Sequence, residues 1–294
     1  MKDLNLNIFN ILILSGVIHG FIFSFIVLSS KKIKNNNFLA LTVLFLSLSN
    51  LQYWAIDINL IKLYPLVNYV FIPCHWLILP MFYFYIKKFT GAISTSSFEK
   101  TLLITPFFIV LAIHICQVLY KFFINESYII PSHFKRGIYV YIEFFSFIFN
   151  IVIILLTYRK IKSYESEHSI THKELKPETK WLKELISIGL LVCTCWLIAL
   201  LIVVIYDLNK SYVFYPMWIG ISALVYWMGY IGLSKSQLLE ERIALRQQRE
   251  KNIEEKVTLK KSNPNIEPFN KLNNAIENRK LYLNPELNIE NLSK

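Results

Sequence analysis

The sequence predicts an all-α membrane protein. The expected fold is a seven-transmembrane helix bundle with its N-terminus outside and its C-terminus cytoplasmic, followed by a cytoplasmic linker helix and a partial helical domain. Three observations carry this. First, 54% of the 294 residues are hydrophobic and the mean hydropathy is +0.43. Second, long apolar runs occupy 8–28, 38–56, 65–86, 101–123, 138–157, 185–206 and 213–233. Each is near the ~20 residues that a helix needs to cross ~30 Å of hydrocarbon. Third, the net charge of +11 is unevenly placed. Three of the Lys and Arg residues lie in 29–37, three in 87–100, seven in 158–184 and twelve in 234–294, against six elsewhere. Alternate loops are basic, which places them in the cytoplasm. The tail has twelve basic and nine acidic residues, a weak footprint for nucleic acid.

The first run, "IFNILILSGVIHGFIFSFIVL", is too long for a signal-peptide core and its positive cluster follows it, so it reads as a retained span. It carries Gly16, Gly20 and Ser24 at four-residue spacing. Small residues so spaced let helix backbones approach, within the chain or in a dimer. The second run ends beside Asp57. The third has Pro73 and Pro80 seven apart, expected to kink one helix on one side, and then Tyr83, Phe84 and Tyr85 as an interfacial belt. The outer loop after the fourth run, 124–137, is too short to fold alone, so an outside signal must be received by the bundle itself. The loop at 158–184 is broken at Pro177, and a helix leads from there into the sixth run. Cys193 and Cys195 in that run, with Cys74 and Cys116, read as packing residues.

The chain divides into a bundle at 1–233, a linker helix at 234–261 and a remainder at 262–294. The linker stretch has no Gly or Pro. Leu239, Ile243, Arg246, Glu250, Ile253 and Val257 follow coiled-coil spacing, but two of the six are charged. A solvated spacer and a homodimer seam are both open there. "SNPNIEP", 262–268, is a linker. A short helix with Phe269, Leu272 and Ile276 on one face follows, then the turn "LNPE" and a second helix capped by Asn288.

Ionisable groups inside spans are functional candidates by default. His19, His75 and His114 lie at similar depth in spans one, three and four, and Glu143 lies in span five. Together with Asp57 they could form one polar pocket open to the outside. Three readings compete: bonds between helices, a sensing pocket for a small molecule or protons, and a metal or haem site. No pair has metal-ligand spacing within one helix. No metal and no cofactor is expected. Span seven has no Lys for a retinal Schiff base, and no His follows His172 to serve a histidine kinase. Phosphate-loop, zinc-protease and serine-hydrolase motifs are absent, so no catalytic residue is assigned.

Two stretches and the ending resemble bacterial membrane-bound regulators that join a seven-span sensor region to an AraC-type helix-turn-helix domain. "LPMFYFYIKKFTG", 79–91, is similar to the family's Gly-Pro-x-x-Tyr-x-Tyr pattern, with Leu79 in place of the Gly. "YWMGYIGLSKSQLL", 226–239, is similar to its Gly-Tyr-x-Gly-Leu ending. "LYLNPELNIENLSK" resembles the approach to the first helix-turn-helix through Leu283, Pro285, Leu287, Ile289 and Leu292, with Ser293 where Ala is usual. The resemblance implies one-component transcription control from the bacterial inner membrane, with DNA bound only by a full-length form. The sequence stops in the first supporting helix, so a truncated DNA-binding domain is expected and no DNA-contacting residue is assigned. The partners expected are the lipid bilayer and a small-molecule or membrane signal. The other classes in play are a transporter or membrane enzyme using the intramembrane His and Glu residues, and a non-catalytic membrane partner.

Overall fold

Asn7 illustrates how local capping and long-range packing are joined in this chain. Its side-chain oxygen accepts the N–H of Asn10 at 2.9 Å and caps the first helix, α1 (Ile8–Ser29). Its amide nitrogen donates at 2.9 Å to the hydroxyl of Tyr215, which donates at 2.9 Å to Asp57 Oδ2. One hydrogen-bonded chain thus ties the start of α1 to the end of α2 (Asn37–Asp57) and to the start of a last helix, α7 (215–230). Between these lie α3 (His75–Phe89), α4 (Ser97–Phe123), α5 (Ile138–Thr171) and α6 (Lys180–Tyr206), then a 3₁₀ turn, Ser211–Phe214. The computed structural model describes residues 6–29, 37–60, 64, 66, 69–91, 96–131, 137–171, 179–207 and 211–230, all helix or connection and no strand. By contacts the chain divides into two units, Met1–Ser236 and Gln237–Lys294. The expected linker helix at 234–261, its seam from Leu239 to Val257 and the partial domain at 262–294 lie outside the described residues, as does the break at Pro177.

Among the described residues, five helices are long and apolar enough to cross a membrane: α1, α2, α4, α6 and the Ile138–Ser166 part of α5. Their outward faces are apolar as well, with Ile11, Ile22, Phe25, Phe108, Leu191 and Ile205 exposed. That pattern suits hydrocarbon rather than water. An all-helical membrane protein is therefore the fold class that the helices support. The third apolar run does not form one long helix. Residues 70–73 are irregular and α3 begins only at His75. Its 15 residues rise ~22 Å, short of the ~30 Å of a bilayer core. Pro73 lies before α3 and does not kink it, whereas Pro80 lies inside. The reason is local: proline drives the residue before it into extended backbone. Both polar groups of that residue, Ile72, are met by one side chain, and its carbonyl also accepts the Cys74 N–H at 2.7 Å. Gln52 Oε1 accepts the Ile72 N–H at 2.7 Å and Gln52 Nε2 donates to its carbonyl at 2.9 Å. Irregular backbone within a bundle needs this kind of partner.

Helix ends follow their sequences. Lys87 and Lys88 occupy the last turn of α3, where cations suit the dipole, and Gly91 closes the turn at φ 65°. Asp207 ends α6 in the left-handed region, at φ 51°. At the end of the bundle away from Asn7, Lys87 Nζ bonds Glu99 Oε2 at 2.6 Å and joins α3 to α4. Lys183 Nζ bonds Glu165 Oε2 at 2.6 Å and joins α5 to α6. Helix α3 sits centrally, against α2, α4 and α5. Helix α4 is peripheral, with only Leu103, Val110 and His114 buried.

Candidate functional site

The inward stripe of α5 sets the chemistry of the bundle interior. Tyr139, Glu143, Ser146, Asn150, Ile153, Thr157 and Ile161 are all buried. Their spacing alternates four and three residues as far as Thr157 and then steps four to Ile161, which keeps them on one face. Four of the seven are polar or charged, so an otherwise apolar interior receives a polar column from a single helix.

The first turn of α3 meets this column. His75 Nε2 and Glu143 Oε2 lie 3.6 Å apart, beyond hydrogen-bond distance and within ion-pair distance. Both residues are buried, at 8% and 4% exposure. Trp76 and Trp196 flank the imidazole, with ring centroids 5.9 and 6.0 Å from it. A lone buried charge would be very costly, so a His–Glu couple is a means of holding ionisable groups there with no net charge.

Beside His75 the bundle holds a cavity of about 120 Å³. Four helices line it over long stretches: α2 from Thr42 to Tyr53, α3 from His75 to Phe82, α6 from Leu185 to Trp196, and α7 from Met217 to Met228. Asn150, Ile154 and Thr157 of α5 complete it. Eleven residues of helix rise about 16 Å, so the cavity is elongated along the bundle. The walls are overwhelmingly apolar. Helix α6 shows the effect of this space: it is buried at Trp181, Leu182 and Leu185, and again at Ala199, Leu200 and Val203, with nothing buried between. At Gly189 an added Cβ would meet no atom within 4 Å.

The other histidines are placed elsewhere. His19 stacks on Tyr226 of α7 at 4.5 Å, and its Nε2 lies 2.8 Å from where a Cβ on Gly229 would stand. His114 Nε2 is 3.0 Å from the Tyr69 carbonyl, and its Nδ1 is 3.5 Å from the Tyr139 hydroxyl. The structure therefore brings His75 and Glu143 together and puts His19 and His114 at separate helix contacts. Asp57 is held in the Asn7–Tyr215 chain. Gly16, Gly20 and Ser24 are used inside the chain. Gly16 abuts Ser222 of α7, Gly20 abuts Ser47 and Val225, and Ser24 Oγ donates to the Ala40 carbonyl at 3.0 Å. The cysteines among the described residues are unbridged. No group of three His, Cys, Asp or Glu residues able to hold a metal occurs among the described residues. Ser49, Tyr53, Asn150 and Trp196 were not singled out from sequence. Their only signal was polarity within apolar runs, and for Asn150 a seven-residue step from Glu143.

Fold and site together define a class: an all-helical membrane protein with an apolar cavity in its bundle and a buried His–Glu couple at the cavity wall. Comparison with family models, with curated proteins and with solved structures finds no match to this chain.

Proposed function

We propose that the bundle is the membrane-embedded, signal-sensing region of a one-component transcriptional regulator of the bacterial inner membrane, with its C-terminus in the cytoplasm. One observation supports it most. The cavity is lined along one side by α7, through Met217, Ile221, Leu224 and Met228, and α7 leads in sequence toward residues 237–294. Whatever fills or empties the cavity touches the helix that precedes that unit in sequence. A ligand that favours one packing of α7 shifts a two-state bundle by its differential affinity for the two states. The AraC-type resemblance of 79–91 and 226–239 supports the same reading, because both stretches begin on helices that line the cavity.

The test is transcriptional output. Residues 237–294 are replaced by a reporter DNA-binding domain whose activity depends on pairing, and expression is followed in cells. Gly189→Leu, which fills the cavity, and Glu143→Gln, which removes the couple's negative partner, are each expected to move basal output at least about threefold. That corresponds to a shift of roughly 0.7 kcal/mol in a two-state equilibrium. Unchanged output in both variants under every growth condition would remove the sensing role.

A further inference from the structure

The cavity contains polar atoms that the protein itself leaves unmatched. Ser49 and Asn150 line it, and both are buried, at 3% and 4% exposure. Ser49 Oγ has no hydrogen-bond partner, and neither does Asn150 Oδ1. The Asn150 amide nitrogen is occupied, donating to Ser146 Oγ at 3.4 Å. The other hydroxyls on the wall behave differently. Thr42 and Thr157 donate to the carbonyls one turn back, Phe38 at 2.8 Å and Ile153 at 2.7 Å. An acceptor on α5 and a hydroxyl on α2 thus remain open in the walls of an elongated apolar space. Unmatched buried polar atoms are costly, so a molecule that satisfies them gains what the empty bundle lacks.

Charge narrows the class. Among the described residues no Lys, Arg, Asp or Glu lines the cavity, and the imidazole on its wall, His75, already faces Glu143 at 3.6 Å. A carboxylate or ammonium placed there would have no counter-ion of its own. Size and shape narrow it further. A dry apolar cavity of ~150 Å³ accepts a benzene-sized molecule, and this one is drawn out along about 16 Å of helix. Leu190, Leu191 and Ile198 on the outer side of α6 are exposed, so the cavity is separated from the bilayer by one helix with no buried residue in its middle.

We propose that this cavity binds an uncharged, elongated, lipophilic small molecule of the fatty-alcohol type, with its hydroxyl donating to Asn150 Oδ1 and accepting from Ser49 Oγ. The site deepens the sensing reading and rests on it for any effect on transcription, but the binding itself does not.

The test is direct binding to the full chain in phosphatidylcholine nanodiscs. 6-Bromohexanol, short enough for a cavity of about 120 Å³, is titrated, and bromine quenching of tryptophan is followed. Trp196 lines the cavity, so Trp196→Phe identifies its share of the signal. Saturable quenching is expected, lost in Trp196→Phe. Gly189→Leu is expected to abolish saturation by occupying the space. Asn150→Leu and Ser49→Ala are each expected to weaken binding up to about tenfold, the value of one hydrogen bond. The 6-bromohexanoate ion is expected to bind at least about tenfold more weakly than the alcohol. Linear, unsaturated quenching that is equal in wild type and Gly189→Leu would overturn the site. Equal binding of alcohol and carboxylate would overturn the uncharged class. Quenching of Trp196 by brominated phosphatidylcholine that the alcohol cannot relieve would make a bilayer acyl chain the occupant and overturn the proposal. Saturable binding with unchanged reporter output would uphold the site and remove the signalling role, so the two failures are separable.

Discussion

Two glycines show how position decides what a side chain costs. At Gly16 an added Cβ would stand 2.6 Å from Ser222 Cβ and 3.0 Å from its Cα. Backbone cannot yield as a side-chain tip can, so Gly16→Leu is expected to cost roughly 1–3 kcal/mol through overpacking. At Gly189 the same change enters open space, and the gain in helix propensity is up to about 1 kcal/mol. Denaturant titration of the two purified variants in one detergent should give shifts of opposite sign. Equal losses would mean that Gly189 does not face a void. The four-residue spacing of Gly16, Gly20 and Ser24 was legible in the sequence, but the partner was not. Spacing marks a close approach, and only coordinates show that α2 and α7 of the same chain fill it.

At the scale of elements, the start of α3 depends on a residue of another helix. Gln52 meets both polar groups of Ile72, at 2.7 and 2.9 Å. Gln52→Leu keeps the volume and leaves the Ile72 N–H without that partner, at a cost of roughly 1–3 kcal/mol, while the carbonyl keeps the Cys74 N–H. Gln52→Glu in its neutral form keeps an acceptor and an O–H donor and should cost less than Leu, whereas its carboxylate keeps acceptors alone. Unfolding curves of the two variants give the order, and a Leu variant as stable as wild type would show that Ile72 finds another partner. The Lys87–Glu99 pair at the opposite end is partly exposed, with side-chain accessibilities of 13% and 29%. Its coupling in a double-mutant cycle is expected at about 1 kcal/mol or less, and lower in high salt. Both motifs were hidden from a linear reading for the same reason. In the sequence Gln52 is one polar residue near the end of an apolar run, and nothing there joins it to a position 20 residues later.

At the scale of the molecule, α1 and α7 begin at the same end of the bundle, because Asn7 and Tyr215 are bonded at 2.9 Å. The charge bias of the loops predicts that this end is outside. Ser127→Cys, in the turn after α4, should then react with a membrane-impermeant maleimide added to intact cells, whereas Lys162→Cys near the end of α5 should react only after lysis. The parent for both should lack Cys116, whose side chain is exposed. Labelling of both positions, or of neither, in intact cells would contradict the expected orientation.

What the sequence determined by itself is the solvent of each segment. Apolar runs place α1, α2, α4, α5 and α6 in hydrocarbon because transfer free energy depends on composition more than on neighbours. Intramembrane charge likewise marked His75 and Glu143, since groups so costly are retained only with partners. Tertiary structure decided the rest. It ended the apparent third span at Pro73, because extended backbone there could be satisfied by Gln52. It separated three histidines of similar depth onto different contacts, because depth says nothing of helix rotation. It also opened a cavity between α6 and its neighbours, a property of how five surfaces fail to meet, which no single stretch of sequence records.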